Sequence, residues 1–413
     1  MGSGKCIRIS AFATLAMLLF IFPYAQQLAA QAARYRSVQA DGATLCYPPP
    51  RALEVGAARL NEYLPSLEGK RVGLVCNQAS RVHQRYLWDT LASLGVDLQV
   101  LFTPEHGLLG QSGAGELVDY GTTHRHKALV VSLYGKRKRP SAEAMAMVDI
   151  VLFDLQDVGV RCYTYASTMT YMMEACAQYG KPFVVLDRPN PLGRVVDGPL
   201  LTPSYRSFVG LHPIPWQHGM TLGELAQMIN GEGWLANGRK CKLTVIACAN
   251  YSHADIPELP TPPSPNLPNA QAIRLYPTLA FLEGSYLSVG RGTPWPFQVV
   301  GHPNYQALSF RFTPDSCPAA KHPPFKGIPC RGYDLRNHTQ DTIQIDLPLL
   351  IQLFSTYPDK KHFFTPFFDK LAGTKMLREQ LTHGASPATI RASWAAPIAA
   401  FKAKRTPYLL YRE

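Results

Sequence analysis

Five short apolar runs divide residues 70–190, and each gives way at once to polar residues. They are Arg71–Cys76, Leu98–Phe102, Ala128–Leu133, Asp149–Phe153 and Pro182–Leu186. Each is rich in β-branched or large aliphatic residues, apolar on both alternating faces and too short for a helix. That is how a strand buried between two layers reads, as in a parallel sheet. Helical patterns lie between the runs. Residues 84–94 precede Gly95, and Ser141 can cap 142–148. In 164–179, Tyr165, Met169, Met172 and Cys176 fall on one stripe that ends at Gly180. Strand and helix in alternation over 51–205 predict an α/β fold with a Rossmann-like parallel sheet domain. After residue 205 the alternation stops. Thr221-Leu-Gly-Glu224 is a capping box opening a helix through Ile229, Cys241–Cys248 reads as a strand, and Pro257–Pro268 as a stiff extended loop. Residues 206–413 are therefore expected to form a second, smaller α+β domain.

The first 33 residues follow another logic. Lys5 and Arg8 precede an apolar stretch, Ile9–Tyr24, and an Ala-rich zone runs to Ala33. This order of basic, apolar and small residues predicts a signal peptide over 1–33, cleaved on export. The stretch is broken by Pro23 and falls short of the roughly 20 residues that a membrane span needs. No stable membrane span is expected after cleavage, and a periplasmic or secreted location follows. The chain carries a formal charge of +12, and +10 without Lys5 and Arg8. A basic exported protein favours an anionic wall polymer and disfavours nucleic acid as partner. Cys76, Cys162, Cys176, Cys241 and Cys248 sit in apolar runs and read as core thiols. Cys317 and Cys330 flank a Pro-rich loop and form the pair expected to be a disulfide.

In open α/β sheets ligands bind beyond the carboxyl ends of the strands. Past the first run lie Asn77 and Gln78; past the second, Glu105 and His106; past the fourth, Asp154, Gln156, Asp157, Arg161 and Tyr163; past the fifth, Arg188 and Asn190. Carboxylates, amides and guanidinium groups thus gather at one edge. No Gly-rich nucleotide fingerprint follows the first strand, and no cofactor is implied. Glycoside hydrolysis needs a carboxylic acid to protonate the leaving oxygen and a second group at the anomeric centre. Glu105, beside a buried strand, is the candidate acid, and Asp154 and Asp157 are candidates for the second role. The loop carrying Asn266 and the Gly-rich segment with Glu283 and Arg291 are expected to close the cleft. An internal ion pair is the structural alternative for Glu283 and Arg291.

Asn77-Gln78, Thr103-Pro-Glu-His-Gly107, Phe153–Arg161 with Tyr163-Thr164, Asp187–Pro191, Pro263–Asn266 and Glu283-Gly with Gly290–Thr293 occur in this order. The set resembles the NamZ-type exo-β-N-acetylmuramidases, from about residue 55 to the C-terminus. The resemblance implies release of N-acetylmuramic acid from non-reducing ends of peptidoglycan fragments. It also implies a cleft between a Rossmann-like domain and a smaller one, with Glu105 at the family's candidate catalytic position. That sugar bears a lactyl carboxylate, which one or more of Arg161, Arg188 and Arg291 are expected to hold. Two other readings stay open. Glu105, His106, Asp154 and Asp157 could bind a divalent ion in a metal-dependent amidase or deacetylase, although no HExxH or paired-His spacing occurs. The chain could also bind wall glycan without cleaving it.

Overall fold

The computed structural model describes residues 52–110, 128–135, 137–305, 307–339 and 342–413, together with the backbone of a two-residue ladder, Gln39–Ala40 with Ala43–Thr44. The expected signal segment lies outside the described residues. Residues Leu53–Glu413 form one compact unit.

All five apolar runs are strands: β1 Arg71–Cys76, β2 Asp97–Thr103, β3 Leu129–Ser132, β4 Ile150–Asp154 and β5 Phe183–Leu186. A sixth, β6 Leu243–Ile246, adds to the outer edge. The order is β6-β5-β4-β1-β2-β3, with every pairing parallel. The chain runs outward from β1 through β2 and β3, then crosses to β4 on the other side of β1. The order therefore reverses between β1 and β4, the place where such sheets open a crevice.

Side-chain alternation splits the strands between two cores. Val72, Leu74, Leu152 and Val184 pack on one face with Leu87, Trp88 and Leu91 of helix α1, Leu87–Ser93. Val75, Phe102, Phe153 and Phe183 face the other way, toward Met145 of α2 (Ala142–Ala146), Met169, Met172 and Cys176 of α3 (Tyr165–Tyr179) and Leu225 of α4 (Leu222–Gly231). Caps stand where the residue types place them. Ser141 accepts from Ala144 N, Thr221 and Glu224 form the capping box, and Gly180 ends α3 at φ 66°.

Three expectations need correction. The helix expected over 84–94 starts later, because Arg81–Val82 and Arg85–Tyr86 pair as a small hairpin before α1. Second, β6 draws on chain beyond residue 205, so the parallel sheet does not end there. The strand itself is legible at 241–248, but its pairing with β5 across some 60 residues of chain is not. Third, Cys317 and Cys330 are separate free thiols. Cys317 bridges to Ala320 in a tight turn, whereas Cys330 opens a strand paired with Phe312, so the backbone ties the two to different partners.

The smaller part holds a three-stranded antiparallel sheet, β7 Val299–His302, β8 Phe310–Phe312 and β9 Cys330–Asp334, in the order β7-β9-β8. Helices surround it: α5 Ala270–Leu279, α6 Leu347–Thr356, α7 Phe367–Ala372, α8 Met376–Thr382 and α9 Pro387–Arg405. Leu275, Leu350, Phe368, Leu377 and Trp394 join the same core as Phe153 and Met172. The two parts thus share apolar packing, which fixes the cleft walls against each other. No helix among the described residues is long and apolar enough to cross a membrane.

Candidate active site

Beyond the ends of β2, β3 and β4 lies a cavity of about 260 Å³. Glu105, His106, Tyr134, Tyr163 and Thr164 come to it from the sheet side, and Asn266, Glu283 and Arg291 from the expected closing segments. Tyr276 and Phe297 add aromatic wall.

Glu105 is half-buried where the chain leaves β2, and His106 turns away from it with φ 72°. That left-handed conformation is uncommon outside glycine, and it separates the directions of two adjacent side chains. His106 Nε2 lies 3.3 Å from Ser264 Oγ, on the facing loop. Thr164 Oγ1 donates to Glu105 Oε2 at 3.0 Å. Tyr134 also hydrogen-bonds the Glu105 side chain, and burial, then the nearby carboxylate, raises its phenol above the ordinary value. The Pro-rich loop is held by its carbonyls, since proline has no N–H to offer. Pro263 O accepts from Tyr163 OH at 2.9 Å, Tyr165 OH at 3.3 Å and Gln78 Nε2 at 3.1 Å.

Arg291 and Glu283 do form a pair, Nε to Oε1 at 2.6 Å, and both remain on the cavity wall. Burial opposes the charge on Arg291, but the Glu283 carboxylate overrides it and keeps the guanidinium above its ordinary value. Arg291 Nη1 is buried with no hydrogen-bond partner among the described residues. A buried guanidinium donor left unpaired is costly, so its retention at a cavity wall points to a ligand acceptor.

The other candidates lie behind the cavity and build its frame. Asp154 is fully buried and bidentate with Arg188, 2.5 Å to Nε and 3.0 Å to Nη2. Burial opposes the charge on Arg188, and the facing carboxylate lifts the guanidinium above its usual range. Arg161 is caged by four carbonyls, those of Pro199, Ile214, Leu371 and Ala372, and burial pushes it down to about 10. It ties the segment after β4 to α7 and has no free reach to the cavity. Asp157 accepts from Gly159 N at 2.7 Å and faces His218 at 3.7 Å. Gln156 Nε2 donates to the carbonyls of Asp157 and Pro189, Asn190 Nδ2 to that of Met220, and Asn77 Nδ2 to Tyr165 OH at 2.8 Å. The second catalytic carboxylate expected at Asp154 or Asp157 is therefore not supplied by those residues' positions. Among the described residues, the carboxylates on the cavity wall are Glu105 and Glu283. The four residues set against a divalent ion do not converge: Asp154 is bidentate with Arg188, and no group of three His, Cys, Asp or Glu among the described residues is placed to hold one.

A structural role for Asp154 has a measurable consequence. Asp154→Ala leaves Arg188 buried and unpaired, so the unfolding free energy in urea should fall by about 3–5 kcal/mol. A variant with unchanged stability and lost activity would return Asp154 to the catalytic group.

Tyr134, Thr164 and Ser264 were missed as site residues. Tyr134 follows β3 at the functional edge, a position that could have flagged it, whereas only the folded chain sets Thr164 against Glu105.

Fold and cleft together define a Rossmann-like α/β protein with a carboxylate-centred cavity at the topological switch edge, closed by a smaller α+β part. The chain belongs to the exo-β-N-acetylmuramidase NamZ family, whose N-terminal domain matches residues 72–271 and whose C-terminal domain matches residues 274–411. It is 37% identical over 377 residues to the peptidoglycan β-N-acetylmuramidase NamZ of Bacillus subtilis, covering 85% of this chain and 89% of that one. Two crystal structures of DUF1343 family proteins from Bacteroides fragilis are similar. One superposes with a TM-score of 0.82 at 42% identity and the other with 0.74 at 29%, each over 88% of this chain and 100% of its own.

Proposed function

We propose that this chain is an exo-acting β-N-acetylmuramidase that hydrolyses terminal N-acetylmuramic acid from peptidoglycan fragments. The observation that carries this reading is a single cavity joining the Glu105 carboxyl to the unspent Nη1 of Arg291. The substrate asks for both, a proton donor at the glycosidic oxygen and a cation for the lactyl carboxylate. Thr164 and Tyr134 both hydrogen-bond the Glu105 side chain and hold it at the cavity, where it would carry the proton. Glu283, held by Arg291 Nε, stands as the second carboxylate, placed to stabilise or attack the anomeric centre. The tyrosine and phenylalanine walls suit the apolar faces of a sugar ring. The reaction in the Bacillus relative's name supports the same assignment.

Incubation with a peptidoglycan digest, followed by mass spectrometry, tests the reading. Free N-acetylmuramic acid should be released from non-reducing ends and persist in chelator. Sugar binding without release would make the chain a wall-binding protein. Deacylated or de-peptidated products that vanish in chelator would make it a metal-dependent amidase or deacetylase.

The site of action follows from the leader-like segment. Residues 1–33 are proposed to direct export and to be removed, and the mature N-terminus is expected between Gln31 and Tyr35. N-terminal sequencing from the native host checks this, and a protein beginning at Met1 would overturn it.

A further inference from the structure

Beside the cavity lies a second concavity of about 600 Å³ that the hydrolytic chemistry does not use. The two share a wall. Tyr134 lines the cavity, and its ring centroid is 6.1 Å from that of Phe208, which lines the groove. Val209, the next residue, faces the cavity. Phe208 in turn stacks on Tyr171 at 5.8 Å, so aromatic rings step from one space into the other. Deeper in the groove Trp234 stacks on His212 at 5.3 Å. Burial, then the charge of Arg206, pushes His212 down to about 3, so this floor is uncharged at neutral pH.

The rim is cationic. Lys138 Nζ sits 4.6 Å over the Phe208 ring and the Arg139 guanidinium 4.1 Å over Tyr171. Both come from the basic run that leaves β3, Lys136-Arg-Lys-Arg139. The acid in the groove, Glu174, is already neutralised by Arg139 and accepts from Ala236 N. Exposed Arg206 makes no side-chain hydrogen bond or ion pair among the described residues, and buried Ser207 Oγ has no partner there. Aromatic rings with unspent cations and a hydroxyl suit a carbohydrate that carries carboxylates.

We propose that this groove holds the glycan beyond the scissile bond, with Lys138 and Arg206 taking the lactyl carboxylate of the next muramic residue. The inference rests on the muramidase reading. An exo-acting enzyme encloses one terminal sugar and must leave the rest of the chain an exit. The small cavity provides the enclosed end, and the groove on the other side of the Tyr134–Phe208 pair provides room for the glycan that follows. Glycan alternates neutral and carboxylate-bearing sugars, which matches an aromatic step followed by a cationic rim.

The test uses Glu105→Gln protein, to prevent turnover, and calorimetric binding of three defined ligands. They are the disaccharide of N-acetylmuramic acid and N-acetylglucosamine, the tetrasaccharide of two such units, and chitotetraose. The tetrasaccharide should bind about tenfold more tightly than the disaccharide, the size of one charge-assisted contact. Adding Lys138→Glu and Arg206→Glu should abolish that advantage, as should high salt. Chitotetraose, which lacks the carboxylates, should gain nothing from its length. Equal affinity for the two muramic ligands, equal loss of both on charge reversal, or chitotetraose binding as tightly as the tetrasaccharide would each overturn the proposal. Turnover by the unmodified enzyme is read separately. If neither muramic ligand yields free N-acetylmuramic acid, the hydrolase reading fails, whereas charge-dependent preference for the longer ligand would still uphold the groove.

Discussion

Glu105→Gln should lower kcat/KM on a natural muramyl disaccharide by about 10²–10⁴-fold, the loss expected of a general acid. Glutamine keeps the shape of the side chain and can still accept from Thr164 Oγ1, as Glu105 does now at 3.0 Å. What it lacks is the proton for the departing sugar oxygen. From a nitrophenyl muramide the leaving group is nitrophenolate, which departs without that proton, so the loss on this substrate should be much smaller. Measuring both substrates on the same variant separates the acid from a carboxylate that merely braces the loop, which would cost the two alike. Equal losses would remove Glu105 from the acid role and make Glu283, the other carboxylate on the cavity wall, the next residue to change.

The second large effect belongs to Arg291. Arg291→Ala should cost roughly 2–5 kcal/mol of transition-state binding for muramic substrates, because the substrate carboxylate is left desolvated and unpaired. An N-acetylglucosamine analogue without the lactyl group should lose far less. Arg291 also holds Glu283 through Nε, so a purely structural role would show as equal loss on both sugars. Arg291→Lys refines the result. Lysine keeps the charge but lacks the fork that can bond Glu283 and a ligand together, so partial recovery is expected, greater for muramic than for plain sugars. Kinetics on the paired substrates decide between the outcomes.

The three arginines were equivalent as residue types, and their separation shows where reading by type stops. Arg161, Arg188 and Arg291 all lie in segments rich in site-like residues. Arg161 is caged by four carbonyls and Arg188 is bidentate with Asp154, both away from the cavity, while Arg291 stands on the cavity wall. Which partner a guanidinium finds depends on carbonyls of Leu371 and Ala372, some 210 residues away in the chain. Local sequence carries no trace of that. The same holds for Asp154 and Asp157, whose position past a strand resembled that of Glu105. Asp154 is still in β4, fully buried, whereas Glu105 stands past the end of β2 and keeps partial exposure.

Local chemistry settled the architecture and its working edge. Five buried strands, their caps and stops, the polar residues beyond their carboxyl ends and the proline-stiffened closing loop are legible from β-branched runs, 3.6-residue spacing and turn chemistry, which act over a few residues. Tertiary structure decided the rest. It assigned the strand read at 241–248 to the edge of the parallel sheet, as β6 beside β5. It kept Cys317 and Cys330 apart on different backbone partners. It set Thr164 and Tyr134 against Glu105, and divided the charged groups into those that hold the frame and those that face the cavity. These outcomes depend on which distant carbonyl or carboxylate meets a side chain once the sheet is assembled, and hydrogen-bond partners of that kind are chosen by packing in three dimensions.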